Sequence, residues 1–343
     1  MLTKLPKAEL HVHLDGTLTP QLVKQLALKN QQTLNAQIFS LDGEQFIWRD
    51  FSQFHQVFDE SFKVIRSGHD YQYIIYIYLQ KLAQKNCLYV ELIISPFHAE
   101  LNQISYESML QGLINGIEQA YRDFGIEARL LMAFIRQQGP VAAMRYMDQV
   151  LQNQHPYVVG INLVGDIKQY EIKVFDKVFD RARVAQLGLS CHAGEIDGGP
   201  EEIWQAVDIL GVSRISHGVC CVEDPKLVNY LLEKKIMLEV CPTSNVILKM
   251  YADYATHPLQ QLKDAGLLLC LNTDDPGFFQ VDLTHEYKVA KTFCGFSEKD
   301  LCDCTEQALH AGFMDQATKE RCLIEFRKRS PYNILKQPED TGL

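Results

Sequence analysis

LLLCLNTDDPG, residues 267–277, is an apolar run that ends abruptly on two adjacent carboxylates, Asp274 and Asp275. The run suits a buried strand, and Pro276 and Gly277 mark the loop that follows it. A carboxylate at the end of a buried strand is costly unless it is hydrogen-bonded or holds a metal. The same setting recurs at His11-Val12-His13, at His192-Ala193-Gly194-Glu195 and at Ser216-His217-Gly218.

Eight apolar runs can be counted in all: 8–13, 88–94, 129–135, 158–163, 189–192, 214–217, 236–240 and 267–272. Helical spacing of apolar residues fills most of the gaps, over 108–124, 141–152, 170–186, 200–210, 225–233 and 257–265. Strands alternating with helices predict a parallel sheet, and eight repeats predict its closure into a single (β/α)8 TIM barrel. Such a barrel puts its chemistry at the C-terminal ends of the strands, where all four polar clusters stand. The chain 1–343 reads as one metal-dependent domain. The longest gap, 14–87, reads as a helical insertion that contributes a lid over the mouth. Residues 283–293, 298–312 and 318–330 read as extra C-terminal helices.

On a strand, His11 and His13 project to one face while Val12 points to the other, which suits two ligands of one ion. Together with His192 and Asp274 they form a three-His, one-Asp set fit for Zn2+, with Fe2+ or Co2+ able to occupy the same shell. Glu195 follows His192 too closely to chelate comfortably beside it, and suits a proton donor. Being consecutive, Asp274 and Asp275 point different ways, so one can bind metal while the other faces substrate.

The net charge of −10, from 33 basic and 43 acidic residues, disfavours nucleic acid or an anionic membrane as partner. No CxxC pair occurs among the ten cysteines, so a thiolate zinc cage is not expected, and unpaired thiols suit a reducing compartment. With no apolar run near the length of a membrane span and no signal-like N-terminus, a cytoplasmic protein is expected.

The motifs HVHLDGTL, NLVGD, CHAGE, ISHGV, EVCPTSN and NTDDPG occur in this order. They resemble the adenosine deaminase family of the amidohydrolase superfamily from residue 5 to about 326, and 272–290 is especially like its bacterial members. The resemblance implies one Zn2+ per chain, held by His11, His13, His192 and Asp274. No lysine precedes Lys168 at the end of the fourth strand, so a single-metal site is expected rather than the lysine-bridged pair of other amidohydrolases. Glu195 would protonate N1 of a purine, and zinc would supply the activated water that adds to C6. His217 and Asp275 would orient that water and stabilise the tetrahedral intermediate. In the substrate site, Asp275 would hold N7, the Gly165 amide would meet N3, and Asp15 would bond a ribose hydroxyl beside His13. Phe51, Phe54 and Phe58, at helical spacing, would wall the purine, although the same spacing also describes a plain helix core.

The expected reaction is hydrolytic deamination of adenosine, and of 2′-deoxyadenosine, to inosine and ammonia in purine salvage, with a small purine nucleoside as partner. Two residues carry the choice of a nucleoside. Adenine deaminases of the family usually have Glu where this chain has Asp15, and Asp where it has Ser216. The alternatives are adenine, aminodeoxyfutalosine or another modified adenosine, since 196–199 is not the commonest wording after the acid. A non-catalytic nucleoside-binding relative would be expected to lose a ligand or the acid, and none is missing.

Overall fold

The computed structural model describes residues 2–49, 51–166, 168–195 and 198–332, without the side chains of Phe51 and Ser52. Ile196 and Asp197, part of the unusual wording after the acid, lie outside the described residues, as does the Phe51 side chain.

Eight parallel strands form one sheet in the order β1 to β8. They are β1 (Lys7–His13), β2 (Cys87–Ile94), β3 (Glu127–Ile135), β4 (Val158–Val164), β5 (Gly188–Ala193), β6 (Arg214–His217), β7 (Met237–Val240) and β8 (Leu268–Leu271). Closure happens just beyond β8. The Asp274 amide donates to the His11 carbonyl and the His13 amide to the Asp274 carbonyl, both at 3.0 Å, forming a parallel bridge opposite Val12. The seam of the barrel therefore carries three of its chemical residues. This is the (β/α)8 barrel that the strand count predicts.

Fifteen α-helices occur among the described residues. Three precede β2: α1 (Pro20–Lys29), α2 (Phe51–Phe62) and α3 (Gly68–Gln84). Then come α4 (Pro96–Leu101), α5 (Tyr106–Phe124), α6 (Gly139–Gln152), α7 (Asp176–Val184), α8 (Pro200–Asp208), α9 (Pro225–Lys234), α10 (Pro242–Ile247) and α11 (Leu259–Asp264). The last four are α12 (Pro276–Phe279), α13 (Leu283–Phe293), α14 (Glu298–Ala311) and α15 (Gln316–Arg329). Thr19, Ser67, Ser105 and Asp224 cap four of them with their side chains, each satisfying a backbone N–H that the first turn leaves free. Within 14–87 the helices divide by role. α3 packs on α5 and β2 as an ordinary barrel helix, and only α2 brings side chains to the mouth.

The barrel interior is polar in places where apolar strands would suggest otherwise. Arg214, fully buried, meets Glu91 at 2.6 Å and Glu239 at 2.7 Å, and the Phe313 ring covers its guanidinium at 3.7 Å. A buried charge needs such partners, because removing one strands the other in low dielectric. From Glu239 the chain of bonds continues upward. Ser216 Oγ donates to Glu239 Oε2 at 2.8 Å, and Asn162 Nδ2 donates to both Ser216 and Ser190 at 3.1 Å. Asn162 in turn holds His192, so the polar column ends on a candidate metal ligand.

Candidate active site

The strand ends bring His11, His13, His192 and Asp274 together, with one donor atom of each lying within 4.8 Å of the others. His11 Nε2 and His13 Nε2 each lie 3.4 Å from Asp274 Oδ1, and His13 Nε2 lies 3.2 Å from His192 Nε2. Tetrahedral zinc with bonds of about 2.0–2.1 Å would space its ligands by roughly 3.3 Å. The donor chemistry agrees with the spacing. His192 Nδ1 lies 2.9 Å from the Asn162 Oδ1 acceptor, so it carries the ring's proton and leaves Nε2 as a bare lone pair facing His13. His11 Nε2 is buried with no hydrogen-bond partner among the described residues, while its Nδ1 faces the Glu239 carbonyl at 3.4 Å. Ser244 Oγ holds the other oxygen of Asp274 at 2.6 Å. Bare nitrogens turned inward and outer atoms each tied to a neighbour are the arrangement of a metal site with its supporting shell. These residues could hold one divalent ion.

Electrostatics divide the carboxyls into two kinds. Burial works against the charge on Asp274, yet the His11 and His13 rings beside it hold it well below the usual range. Burial first, and then the Asp274 charge, push Glu195 and Asp275 well above it, so both favour the acid form. Burial also lowers His13, but the contact with Asp274 outweighs it and raises the ring to about 9. His192 and His217 are lowered by burial and by neighbouring histidines, His217 to about 3, and stand as neutral rings. Glu195 Oε1 lies 3.4 Å from His217 Nε2. A carboxyl whose surroundings favour its acid form thus stands beside a metal-competent cluster, as proton donation to a substrate nitrogen requires.

Local backbone shape matters at four points. His217 (φ 67°) and Asp274 (φ 61°) adopt the left-handed region without being glycine, a strain of about 1–3 kcal/mol each that the surrounding bonds must hold. Gly165 (φ 100°) follows β4 where a Cβ would lie 2.1 Å from Gln137 Oε1, which leaves its backbone free to approach a ligand. A Cβ on Gly16 would lie 1.9 Å from Asp275 Oδ1, so that glycine makes room for the carboxyl.

A cavity of about 460 Å3 opens over the cluster, lined by His13, Gly165, His192, Glu195, His217, Asp274 and Asp275, with Phe54 and Phe58 on its wall. The two readings of the phenylalanines hold together. Phe54 stacks on Phe279 at 5.7 Å and Phe58 on Phe278 at 5.2 Å, so each is packed and also faces the cavity.

Asp15 is different. It is buried, it does not line the cavity, and its Oδ2 is bound by His98 Nδ1 at 2.6 Å. His98 is on the wall, with its ring stacked 4.4 Å from Phe62. Ser216 is fully buried in the column below and lines nothing.

His98, Asn162, Ser244, Asn245 and His257 received no role from the sequence. Asn162, Ser244 and Asn245 stood inside quoted motifs, and for Asn162 a polar side chain in a strand expected to be buried was the available signal. His98 and His257 carried none.

Two more side chains frame the acid's loop. Arg136, fully buried, contacts Glu202 Oε1 at 2.5 Å and the His192 carbonyl at 2.6 Å, and Glu202 Oε2 accepts from the Gly194 amide at 2.9 Å.

The sequence matches the adenosine deaminase family over residues 6–328. An adenine deaminase from Agrobacterium fabrum is 39% identical over 323 residues, covering 94% of this chain and 98% of the relative. Among solved structures, an adenine deaminase from Arthrobacter aurescens superposes with a TM-score of 0.88 at 29% identity, covering 94% of this chain and 98% of that one. An amidohydrolase from Burkholderia ambifaria with bound zinc superposes with a TM-score of 0.86 at 26% identity, covering 96% and 92%. The chain belongs to the adenosine deaminase family.

Proposed function

We propose that the chain is a metal-dependent hydrolytic deaminase whose substrate is adenine, converted to hypoxanthine and ammonia. One zinc ion per chain, held by His11, His13, His192 and Asp274, would polarise and activate the attacking water. Glu195 delivers a proton to N1, which makes C6 electrophilic. His217 faces the oxygen that adds there, and Asp275, holding its own proton, donates to N7. The Gly165 amide meets N3, and Phe54 and Phe58 exclude water from the ring. The ten cysteines are free and buried, which supports a reducing compartment such as the cytoplasm.

The observation that carries adenine over its nucleoside is on the cavity wall. Asp15 and Ser216, from which a nucleoside was expected, do not line the cavity, and Asp15 is committed to His98. A carboxylate so bound has less to offer a ribose hydroxyl. The relatives named adenine deaminase support the same choice. Adenosine is kept as a second reading because about 460 Å3 leaves room for more than a bicyclic base.

Initial rates of ammonia release from adenine, adenosine and AMP by zinc-loaded protein test the choice. Adenine is expected to lead in kcat/KM by at least ~10²-fold, about 2.7 kcal/mol of discrimination. A lead for adenosine would reinstate the nucleoside and return Asp15 to the sugar.

A further inference from the structure

The Leu259 amide donates to His257 Nδ1 at 3.1 Å. A backbone N–H can only donate, so that nitrogen is bare. His257 is buried and lowered by that burial to about 4, so the neutral ring keeps its one proton on Nε2. His257 Nε2 lies 3.0 Å from Asn245 Oδ1, which therefore accepts. The opposite orientation of the amide would set two donors face to face. The Asn245 NH2 is thereby turned toward His217 Nδ1 at 3.3 Å, with Met250 Sδ beside it at 3.3 Å. Asn245 is wholly buried and sits on α10, directly after the turn that leaves β7, while His257 stands just before α11.

We infer that Asn245 and His257 are positioning residues that fix His217 in the tautomer with its proton on Nε2. An amide NH2 donating to Nδ1 leaves the neutral imidazole no other place for its proton. His217 Nε2 is buried, has no hydrogen-bond partner among the described residues, and lies 3.4 Å from Glu195 Oε1. His217 thus meets the reacting oxygen as a donor, prepared for the negative charge that gathers there, rather than as a base waiting for a proton. The role assigned to that oxygen rests on the deaminase reading, whereas the tautomer rests on the three bonds that link Leu259, His257, Asn245 and His217.

Nitrogen NMR of zinc-loaded protein labelled with 15N-histidine reads the tautomer directly. The expected result for His217 is an unprotonated Nδ1 and a protonated Nε2, and the reverse pattern would overturn the inference whatever the substrate proves to be. In kinetics, Asn245→Leu is near in volume and removes the donor. It should lower kcat by about 10²-fold, the scale of losing one aligned donor, with KM and zinc content unchanged. His257→Gln, whose amide can donate from the position of Nε2, should keep most of the activity, while His257→Leu should resemble Asn245→Leu. Equal loss in both His257 variants, or native kcat in Asn245→Leu, would count against a positioning role. Wild-type protein inert toward every purine would instead defeat the deaminase reading and leave the tautomer measurement standing.

Discussion

Glu195→Gln is expected to retain its metal and to lose at least ~10²-fold in kcat, within the ~10²–10⁴-fold that a positioned acid contributes. The amide can still donate a hydrogen bond to N1, so KM should change by only a few-fold, but it has no proton to give. Place and state together fit Glu195 for this role. Glu195 stands three residues beyond His192, beside His217 and not among the four clustered ligands. Burial and the Asp274 charge keep its carboxyl in the acid form. Near-native turnover in this variant would mean that another group delivers the proton, and the protonated Asp275 would be the first to examine.

His13→Ala and Asp274→Ala are expected to abolish both metal binding and activity. Each removes one of four donors. Replacement of an outer partner such as Asn162, which orients His192, should be milder, within the ~10–100-fold in metal affinity usual for that class. The ordering of the three variants is therefore part of the prediction, read by metal content after dialysis against a weak chelator. Asp274→Ala also unties Ser244 and leaves the His11 and His13 nitrogens without their carboxylate. Full metal content in both ligand variants would remove the assignment. Melting temperature checks that the fold survives, since the seam bonds at Asp274 come from its backbone and remain available.

The strands were legible to within about two residues at their ends because each is an apolar run, and β1, β5, β6 and β8 end at or just before a polar group of the site. Leu267–Asn272 contracts to Leu268–Leu271 and Arg129–Ile135 extends back to Glu127 without changing which side chains face inward. Periodicity served the helices less well near 170–186, where a 3-10 turn (Ile172–Phe175) precedes α7. Which helix of 14–87 reaches the mouth was not legible, for a physical reason. The same amphipathic pattern describes a helix over the mouth and one against the outer sheet, and only packing distinguishes α2 from α3.

In the site, the metal-competent residues announced themselves as polar groups at the ends of buried strands. The substrate-facing residues did not. The family resemblance assigned Asp15 to a ribose hydroxyl, but the partner that claims it, His98, comes from the helix after β2, 83 residues away. Ser216 sits on the inner face of β6, one layer below the cavity. Asn245 and His257 are ordinary polar residues until the fold lines them up behind His217.

The central claim, that this metal cluster deaminates an aminopurine, is tested most directly by ammonia release from adenine under control of the metal. Wild-type protein carrying one zinc per chain should release one ammonia for each hypoxanthine formed. It should fall silent when a chelator strips the metal and recover when zinc is restored. Protein that holds its zinc and releases no ammonia from adenine or adenosine, or that works equally well after stripping, would contradict the account.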